Sequence, residues 1–400
     1  MLETCILETA TDAEAMRREW SELAAEAPKA ELTLTPTWLL AWWHQFGGTD
    51  GRSLRLVTFR DAGKLVAIAP LCRRLATHLH VLPVRRLELL ATGDEGPDEI
   101  CSDYVGLLCA DGYGREVAST LARLIVVEGA LGPWDELRMP NMSGEDPMVE
   151  ELRAALAQVG AHAAVTEVGR SPYVALPGSW DEYLRSLHGQ DRYLVTRAER
   201  ELQKWAGRDE VRLMRASTPE ELAEGKRILQ TLHQERWQER GDDGVFASAR
   251  FTRFHDEVMS ELLTGNEGKL DLLWLTVKGE PVAAVYNLVF RGKVYFYQSG
   301  RKLDVPKGVK PGISIHAFAL RRAIDEHLRE YDFLNGLSQY KRKLATGTHA
   351  LVSLRAFAPN LRARAVEAAS KLGEAAVEQR RAWRKSHPPA PAETSEHAEL

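Results

Sequence analysis

The stretch Lys307-Gly-Val-Lys-Pro-Gly-Ile-Ser314 decides the fold, because it leads from a run of strands into a helix through two glycines and two lysines. The segments before it alternate in the manner of strands: 270–277, 282–290 and 293–299. The short turn Lys278-Gly-Glu-Pro281 joins the first two into a hairpin. After it, residues 313–328 have helical periodicity and residues 332–335 indicate a short buried strand. The predicted order is strand, hairpin, strand, glycine-containing loop, helix, strand.

A loop of this composition suits a pyrophosphate, which needs backbone N–H groups and the positive end of a helix dipole. Gly308 and Gly312 allow the chain to approach a phosphate closely, and Lys307 and Lys310 add positive charge. Ser314 either caps the helix or bonds a phosphate oxygen. Pro311 removes one N–H donor, however, so a glycine loop that merely starts a helix stays an alternative.

The first half of the chain repeats part of this pattern. Thr58-Phe-Arg-Asp-Ala-Gly-Lys-Leu-Val-Ala-Ile-Ala-Pro-Leu71 resembles Thr276-Val-Lys-Gly-Glu-Pro-Val-Ala-Ala-Val-Tyr-Asn-Leu288, and Ser102-Asp-Tyr-Val-Gly-Leu107 echoes Tyr331-Asp-Phe-Leu-Asn-Gly-Leu337. Two echoes in the same order favour duplication. Helices are predicted at residues 11–27, 35–47, 113–129, 148–160, 180–206, 219–240 and 251–263. Further strands are predicted at residues 54–59, 65–71, 87–90, 104–108, 136–139 and 352–357.

Length and charge narrow the class of protein. A chain of 400 residues predicts two domains, which we place at 1–175 and 176–360, followed by a helix at 361–387 and a disordered tail at 388–400. The net charge of -5 argues against a general nucleic-acid binder. The N-terminus lacks the pattern of a signal peptide, and the four cysteines show neither a CxxC pair nor zinc-ligand spacing. We therefore expect a cytoplasmic protein.

Motifs along most of the chain resemble the CelD-like branch of the GNAT acetyltransferase superfamily, which is related to the Fem peptidoglycan aminoacyltransferases. The resemblance extends from about residue 30 to about residue 357 and is strongest in the last third. The matching segments are Pro36-Thr-Trp-Leu-Leu-Ala-Trp-Trp-His-Gln-Phe-Gly47, Ser102-Asp-Tyr104, Leu232-His-Gln-Glu-Arg-Trp-Gln-Glu-Arg-Gly241, Val282-Ala-Ala-Val-Tyr286, Tyr295-Phe-Tyr-Gln-Ser-Gly300, Pro311-Gly312 and Tyr331-Asp-Phe-Leu-Asn-Gly-Leu-Ser-Gln-Tyr-Lys341.

The resemblance implies an α/β (α+β) fold of two tandem GNAT-like domains, each a mixed, largely antiparallel sheet flanked by helices. It implies acetyl-CoA or another acyl-CoA as co-substrate, bound by the second domain, with no metal. Members often accompany genes for exopolysaccharide, cellulose or envelope assembly. We therefore expect an N-acyltransferase acting on an amine of a polar small molecule or a sugar precursor. No nucleic-acid partner and no membrane insertion are expected, and a homodimer is left open.

The resemblance also implies roles for residues in the last third. Tyr340 follows the strand after the helix, where GNAT enzymes commonly place the general acid, and it is otherwise a packing tyrosine. Asn335 precedes it and is assigned to the acceptor. Lys341 either holds an acceptor phosphate or carboxylate or is an exposed charge. Asp332 is a general base or, in the favoured alternative, a structural residue. The strand residues expected to bind the pantetheine arm are Tyr297, Gln298 and Ser299, and the cradle residues are Lys307, Gly308, Lys310, Gly312, Ile313 and Ser314.

A polar cluster ends the predicted helix at 219–240. His233 lies three and four residues from Arg236 and Trp237, so these side chains share one helix face. We interpret Glu235, Arg236 and Trp237 as acceptor-binding candidates and His233 or Glu235 as a candidate base, against the alternative of ordinary core contacts. The basic residues of the helix at 180–206 are interpreted as a solvated face.

Two other functions compete with an acyl-CoA-dependent enzyme. One is a Fem-like transferase that uses aminoacyl-tRNA. The other is a non-catalytic GNAT-like subunit that regulates a polysaccharide synthase, an alternative that the degenerate loop with Pro311 keeps open.

Overall fold

The computed structural model describes residues 2–78, 82–94, 96–207, 210–239, 241, 243–265 and 267–386. These residues form two compact units. Unit 1 combines the described parts of Met1–Gly93 and Cys101–Val168 with residues 351–386. Unit 2 combines Asp94–Ile100 with Gly169–Ala350. The tail predicted at 388–400 lies outside the described residues.

Both units contain helices and strands. The helices are α1 (Ala10–Ala15), α2 (Arg17–Glu26), α3 (Pro36–Phe46), α4 (Gly114–Val126), α5 (Met148–Gln158), α6 (Trp180–Ser186), α7 (Gly189–Ala206), α8 (Pro219–Gln238), α9 (Ala249–Thr264), α10 (Pro311–Asp325), α11 (Gln339–Leu344) and α12 (Leu361–Ser386). The strands are β1 (Glu3–Leu7), β2 (Ser53–Asp61), β3 (Lys64–His78), β4 (Leu82–Leu89), β5 (Leu108–Cys109), β6 (Glu136–Ser143), β7 (His162–Ala175), β8 (Val211–Arg215), β9 (Lys269–Val277), β10 (Glu280–Phe290), β11 (Lys293–Arg301), β12 (Glu330–Asp332) and β13 (Gly347–Phe357). Short 3-10 turns occupy Leu32–Leu34, Gly96–Asp98 and Val245–Ala247.

In unit 1 the strands β1, β2, β3 and β4 are neighbours in that order and antiparallel. Helix α4 then crosses over, and β6 pairs parallel with β4. The part of β13 from Leu351 on pairs antiparallel with β6. One face of this sheet buries apolar side chains such as Val57, Leu71 and Leu137 against Leu121 of α4 and Leu152 of α5.

Unit 2 repeats the same sequence of elements. Strands β8, β9, β10 and β11 are antiparallel neighbours, α10 crosses over, and β12 pairs parallel with β11 and antiparallel with the end of β7. Strand β10 is buried along most of its length, as expected for a strand covered on both faces. Leu273 and Leu275 of β9 belong to a core with α7 and α10, while Leu272 and Trp274 face α8.

The repeated order of hairpin, strand, crossover helix and parallel strand confirms the predicted fold class. The α3 helix with Pro36 in its first turn and both predicted hairpins, β2–β3 and β9–β10, are also present. The two hairpins whose sequences resemble each other therefore occupy equivalent positions in the two units. The second pair of similar segments does not, because Ser102 lies before α4 whereas Tyr331 lies on the strand after α10.

Several element boundaries were wrong. The helix predicted at 180–206 is interrupted at Leu187 and His188, whose extended backbone separates α6 from α7. The helix predicted at 11–27 begins at Ala10 with Thr9 as its cap, and a break at Met16 separates α1 from α2. Of the strand predicted at 104–108, only Leu108 is in a strand. In the described part of the chain, no helix is both long enough and apolar enough to cross a bilayer.

Candidate functional site

The pairing of the parallel strands β11 and β12 spans three residue pairs. They pair only from Lys293 opposite Glu330 to Tyr295 opposite Asp332, where β12 ends, while β11 continues to Arg301. The register between β10 and β11 shifts at the same level, because Tyr286 faces Gln298 and Asn287 faces Phe296. Tyr297 is therefore the extra residue of a β-bulge, which bends a strand and re-aims its edge. Beyond Tyr295, β11 therefore continues without a β12 partner, and we call this end of the pairing the opening between β11 and β12.

The start of α10 offers few backbone donors. Pro311 has no N–H, and the N–H groups of Ile313 and Ser314 both bond the carbonyl of Lys310, at 3.1 and 3.0 Å. Lys310 is the N-cap, so Ser314 does not cap the helix. The buried Ser314 hydroxyl lies 3.2 Å from the carbonyl of Ala198 and 3.1 Å from that of Lys310. In the first turn, Gly312 is left as the backbone donor for a phosphate.

A cationic pocket lies beside this helix start. It has a volume of about 250 Å³ and is lined by Gln190, Tyr193, Leu194, Arg197, Ala198, Gly308, Lys310 and Lys343. Burial lowers the pKa of Lys310, and the charges of Lys343 and Arg197 lower it further. The structure thus brings two predicted cradle residues, Gly308 and Lys310, together with Arg197 of α7, which the sequence analysis had placed on a solvated face, and with Lys343 of α11. Lys307 is exposed and Gly312 is half-buried, and neither lines the pocket.

Tyr340 lies on α11 with its ring stacked on His316, at 5.5 Å between centroids. His316 in turn contacts Phe296 of β11 edge-on, at 4.6 Å between ring centroids. The His316 ring therefore lies between Tyr340 and Phe296, the first residue of β11 beyond the paired part. Burial raises the pKa of Tyr340 to about 12, against the opposing effects of the Arg236 charge and a hydrogen bond with Ser338. The phenol is therefore protonated at neutral pH, as a general acid must be. Two residues predicted from separate segments, Tyr340 and Arg236, are brought close enough to interact.

A buried hydrogen-bonded chain starts at His316 and was missed by sequence reasoning. The Tyr331 hydroxyl donates to Asn287 Oδ1 at 3.2 Å, and Tyr331 Oη lies 3.3 Å from His316 Nδ1. Because the phenol proton is used toward Asn287, Nδ1 of His316 is the donor to Tyr331. Asn287 Nδ2 donates to Asp271 at 3.4 Å, and Arg322 donates to Asp271 at 2.6 Å. A histidine within the apolar face of α10 was the signal available in the sequence.

The ring of His233 is held by neighbours on its own helix. Trp237 Nε1 donates to His233 Nε2 at 2.9 Å, and His233 Nδ1 lies 3.3 Å from Gln234 Oε1. Burial lowers the pKa of His233 to about 4, Gln234 opposing and Arg236 adding to that shift. Both nitrogens are thus engaged and the ring is neutral, which favours a role in fixing the end of α8. A base at His233 stays a prediction, as does acceptor binding by the exposed Glu235.

The turn after β12 is fixed by two of the predicted residues. Asp332 is fully buried, accepts the N–H of Leu334 at 2.7 Å and lies 3.2 Å from Lys293 Nζ. Lys341 Nζ donates to the carbonyls of Phe333, Leu334 and Asn335 at 2.7, 3.3 and 3.0 Å. Leu334 has a φ of 56°, a conformation that needs such support. These contacts favour structural roles for Asp332 and Lys341.

A further cluster of two carboxylates and a histidine surrounds the ammonium group of a lysine. Ligand atoms of Glu330, Asp332 and His349 lie within 4.8 Å of one another. Lys293 Nζ is 3.5 Å from Glu330 and 3.2 Å from Asp332, so one ammonium group already offsets part of the negative charge of the two carboxylates. His349 Nε2 is 3.2 Å from Glu330 Oε2. The cluster is an ion-pair network at the paired ends of β11 and β12.

Comparison with known proteins finds one family model and several similar solved structures. Residues 190–342 match the family model described as an acetyltransferase (GNAT) domain. A search of the curated proteins finds no match. Among solved structures, FemX is similar with 10% identity and a TM-score of 0.59, over 89% of this chain and 98% of its own.

Two further structures share the fold. A conserved protein of unknown function from Bacteroides thetaiotaomicron has 10% identity and a TM-score of 0.55, over 89% of this chain and 100% of its own. The C-terminal domain of a candidate lysylphosphatidylglycerol synthetase from Agrobacterium fabrum has 9% identity and a TM-score of 0.51, over 92% of this chain and 97% of its own. At these identities the likeness concerns the fold. Residues 190–342, which contain β11 and β12, are therefore similar to a GNAT acetyltransferase domain.

Proposed function

We propose that this protein is an acyltransferase that moves the acyl group of acetyl-CoA or another acyl-CoA to an amine of a polar small molecule or envelope precursor. The observation that carries the proposal is the end of the β11–β12 pairing at Tyr295, next to the bulge of Tyr297. An extended pantetheine arm lies along a strand edge, and the pairing of β11 with β12 stops at Tyr295 while β11 continues to Arg301. The GNAT match of the same residues supports acyl transfer.

The chemistry follows from what lies beside that opening. The amine nitrogen attacks the thioester carbonyl carbon, the C–S bond breaks, and the departing thiolate takes the phenol proton of Tyr340. The amine proton passes to water, and the Tyr340 phenolate, with a pKa near 12, regains its proton from solvent. Arg236, which interacts with Tyr340, stabilises negative charge as the proton leaves.

The resemblance to the CelD-like branch supports the finer parts of the proposal. It favours an acceptor from exopolysaccharide or envelope assembly and a cytoplasmic site of action. N-acylation is favoured over O-acylation because GNAT chemistry commonly uses a neutral amine as nucleophile.

A Fem-like transferase that uses aminoacyl-tRNA is the second candidate. The fold is similar to that of FemX over 89% of this chain, which favours this candidate. In that case the domain would bind aminoacyl-tRNA in place of acyl-CoA. A non-catalytic regulatory subunit is the third candidate, and the poor backbone donors at the start of α10 favour it.

Binding of acyl-CoA decides among these functions. Acetyl-CoA and longer acyl-CoAs should raise the melting temperature in a concentration-dependent manner, since a ligand at 100 times its Kd stabilises by about 2.7 kcal/mol. Pantetheine and adenosine are the controls. No shift with any acyl-CoA at millimolar concentration would reject the proposal and leave the other two candidates.

A further inference from the structure

One face of the unit 1 sheet carries charged side chains where β4, β6 and β13 are neighbours. Across β4 and β6, Arg86 pairs with Glu136 and Glu88 pairs with Arg138. Across β6 and β13, Arg138 pairs with Arg355. Directly paired residues point to the same face of a sheet. These five side chains therefore lie on one face, opposite the apolar core of unit 1.

The two carboxylates of this face are already engaged by arginines. Arg86 Nε donates to Glu136 Oε2 at 2.8 Å, and Arg355 Nε donates to Glu136 Oε1 at 2.5 Å. One carboxylate thus serves two guanidinium groups. Glu88 has its own cation, because Arg74 Nε lies 2.8 Å from Glu88 Oε1.

Arg138 is the cation that these carboxylates leave over. Within the ranges that the structure describes, its guanidinium group makes no hydrogen bond and no ion pair. Solvent reaches this side chain, yet desolvation by the surrounding protein lowers its pKa, and the charges of Arg86 and Arg355 lower it further against the opposing charge of Glu136. A group that is both wetted and closely surrounded lies in a recess. The Arg86 side chain is 5% exposed and bonds described residues through Nε alone, so its terminal nitrogens also have donors to offer.

The equivalent strands of unit 2 show what this recess lacks. The parallel pairing of β11 with β12 has the same register as that of β4 with β6. The position of Arg138 is taken there by Asp332, which is fully buried and lies 3.2 Å from Lys293 Nζ. A carboxylate beside its own cation needs no further partner. An arginine among arginines needs an anion from outside.

We propose that Arg86, Arg138 and Arg355 form a binding site for a dianionic phosphate group, supplied by a phosphorylated small molecule or by inorganic phosphate. Three guanidinium groups and the shared Glu136 leave an excess of two positive charges, and a phosphate monoester carries about 1.5 to 2 negative charges at neutral pH. A carboxylate ligand would leave part of that excess uncompensated. Guanidinium groups also match phosphate oxygens with paired N–H donors. None of the residues proposed for acyl transfer lies on β4, β6 or β13, so the inference is independent of that function.

Calorimetry on the full chain tests the site, with glucose 1-phosphate, orthophosphate, glucose and acetate as probes in a buffer free of other phosphate and sulfate. Wild type should bind at least one of the two phosphates and neither glucose nor acetate. Arg138→Gln should weaken phosphate binding by about 10- to 100-fold, as expected for the loss of a charge-assisted contact. Arg18→Gln is the matched control, because it removes the same charge from a side chain that is 92% exposed on α2. Tighter binding of glucose 1-phosphate than of orthophosphate would identify an ester as the ligand, and the reverse order would identify free phosphate.

Urea unfolding gives a second measurement. Without phosphate, Arg138→Gln should be at least as stable as wild type, because the substitution removes a repelled charge and no described contact. Saturating phosphate should then stabilise wild type and Arg18→Gln more than Arg138→Gln.

Four results would overturn the inference. They are no phosphate binding by wild type, equal phosphate affinity in wild type and Arg138→Gln, an equal loss of affinity in Arg18→Gln and Arg138→Gln, and a lower stability of Arg138→Gln without phosphate. The third would assign the binding to net charge, and the fourth would show that the fold itself needs Arg138. Acyl-CoA binding, measured separately, would stand or fall independently of all four.

Discussion

Gly300 lies on β11 where helix α8 crosses the strand, and we expect Gly300→Ala to disrupt that crossing. A Cβ at this position would lie 2.6 Å from the backbone nitrogen of His233, 2.7 Å from Leu232 Cβ and 2.8 Å from the Leu232 carbonyl carbon. Two of these three atoms belong to the backbone of α8, so no rotation of a flexible side chain can relieve the contacts.

The size of the effect follows from the distances. Ordinary contact of a Cβ begins at 3.4 Å, so α8 must retreat from β11 by about 0.8 Å. Such a shift disturbs the packing of the buried Leu229 and Leu232. Overpacking of this kind typically costs about 1–3 kcal/mol, and we expect a loss near the upper end because the clash involves backbone.

Urea unfolding followed by circular dichroism measures the loss, and hydrogen exchange of peptides from α8 and β11 locates it. Gly189→Ala is the matched control: a Cβ added there would meet no described atom within 4 Å, and Gly189 begins α7. That variant should equal or slightly exceed the stability of wild type, by up to about 1 kcal/mol. If Gly300→Ala is as stable as Gly189→Ala, with unchanged exchange in α8, the close packing of α8 on β11 is refuted.

Three other perturbations have defined outcomes. Tyr340→Phe should lower turnover by about 10²-fold while acyl-CoA affinity stays the same, and unchanged turnover would mean that another group is the acid. Lys341→Met should destabilise unit 2 by about 1–3 kcal/mol in urea unfolding, because three carbonyls lose a charged donor; wild-type stability would contradict the structural role. Burial lowers the pKa of His233 to about 4 and of His316 to about 3, below an unfolded value near 6.5. The unfolded chain therefore binds more protons as the pH falls below 6.5, and stability at pH 5 should be lower than at pH 7 by about 2 kcal/mol for each histidine. Equal free energies of unfolding at the two pH values would contradict their burial.

Sequence patterns predicted the repeated core well because hydrophobic periodicity and turn residues are local signals. The β9–β10 hairpin follows from alternating apolar residues around Lys278 and Gly279, and α3 follows from Pro36. The break between α6 and α7 was missed, since the apolar stripe continues through Leu187 and only the extended backbone of His188 interrupts the helix.

The candidate site was harder to predict because its parts meet only in three dimensions. The pairing of Arg236 with Tyr340 and the convergence of Arg197 with Lys343 join residues more than a hundred positions apart. Lys341 and Asp332 have residue types that suit catalysis, yet their partners are backbone groups of one turn and Lys293. A sequence shows that a residue is polar, whereas its partners depend on the folded chain.

The chain from His316 through Tyr331 and Asn287 to Asp271 connects a helix with three strands at one level of unit 2. If β12 slipped by one residue against β11, the Tyr331 hydroxyl would point to the other face and both His316 and Asn287 would lose a partner in the interior. Apolar packing tolerates such a slip more readily than a set of matched donors and acceptors does. The buried polar groups therefore fix the register of β12 against β11. A fixed register keeps the opening after Tyr295 at one position along the sheet.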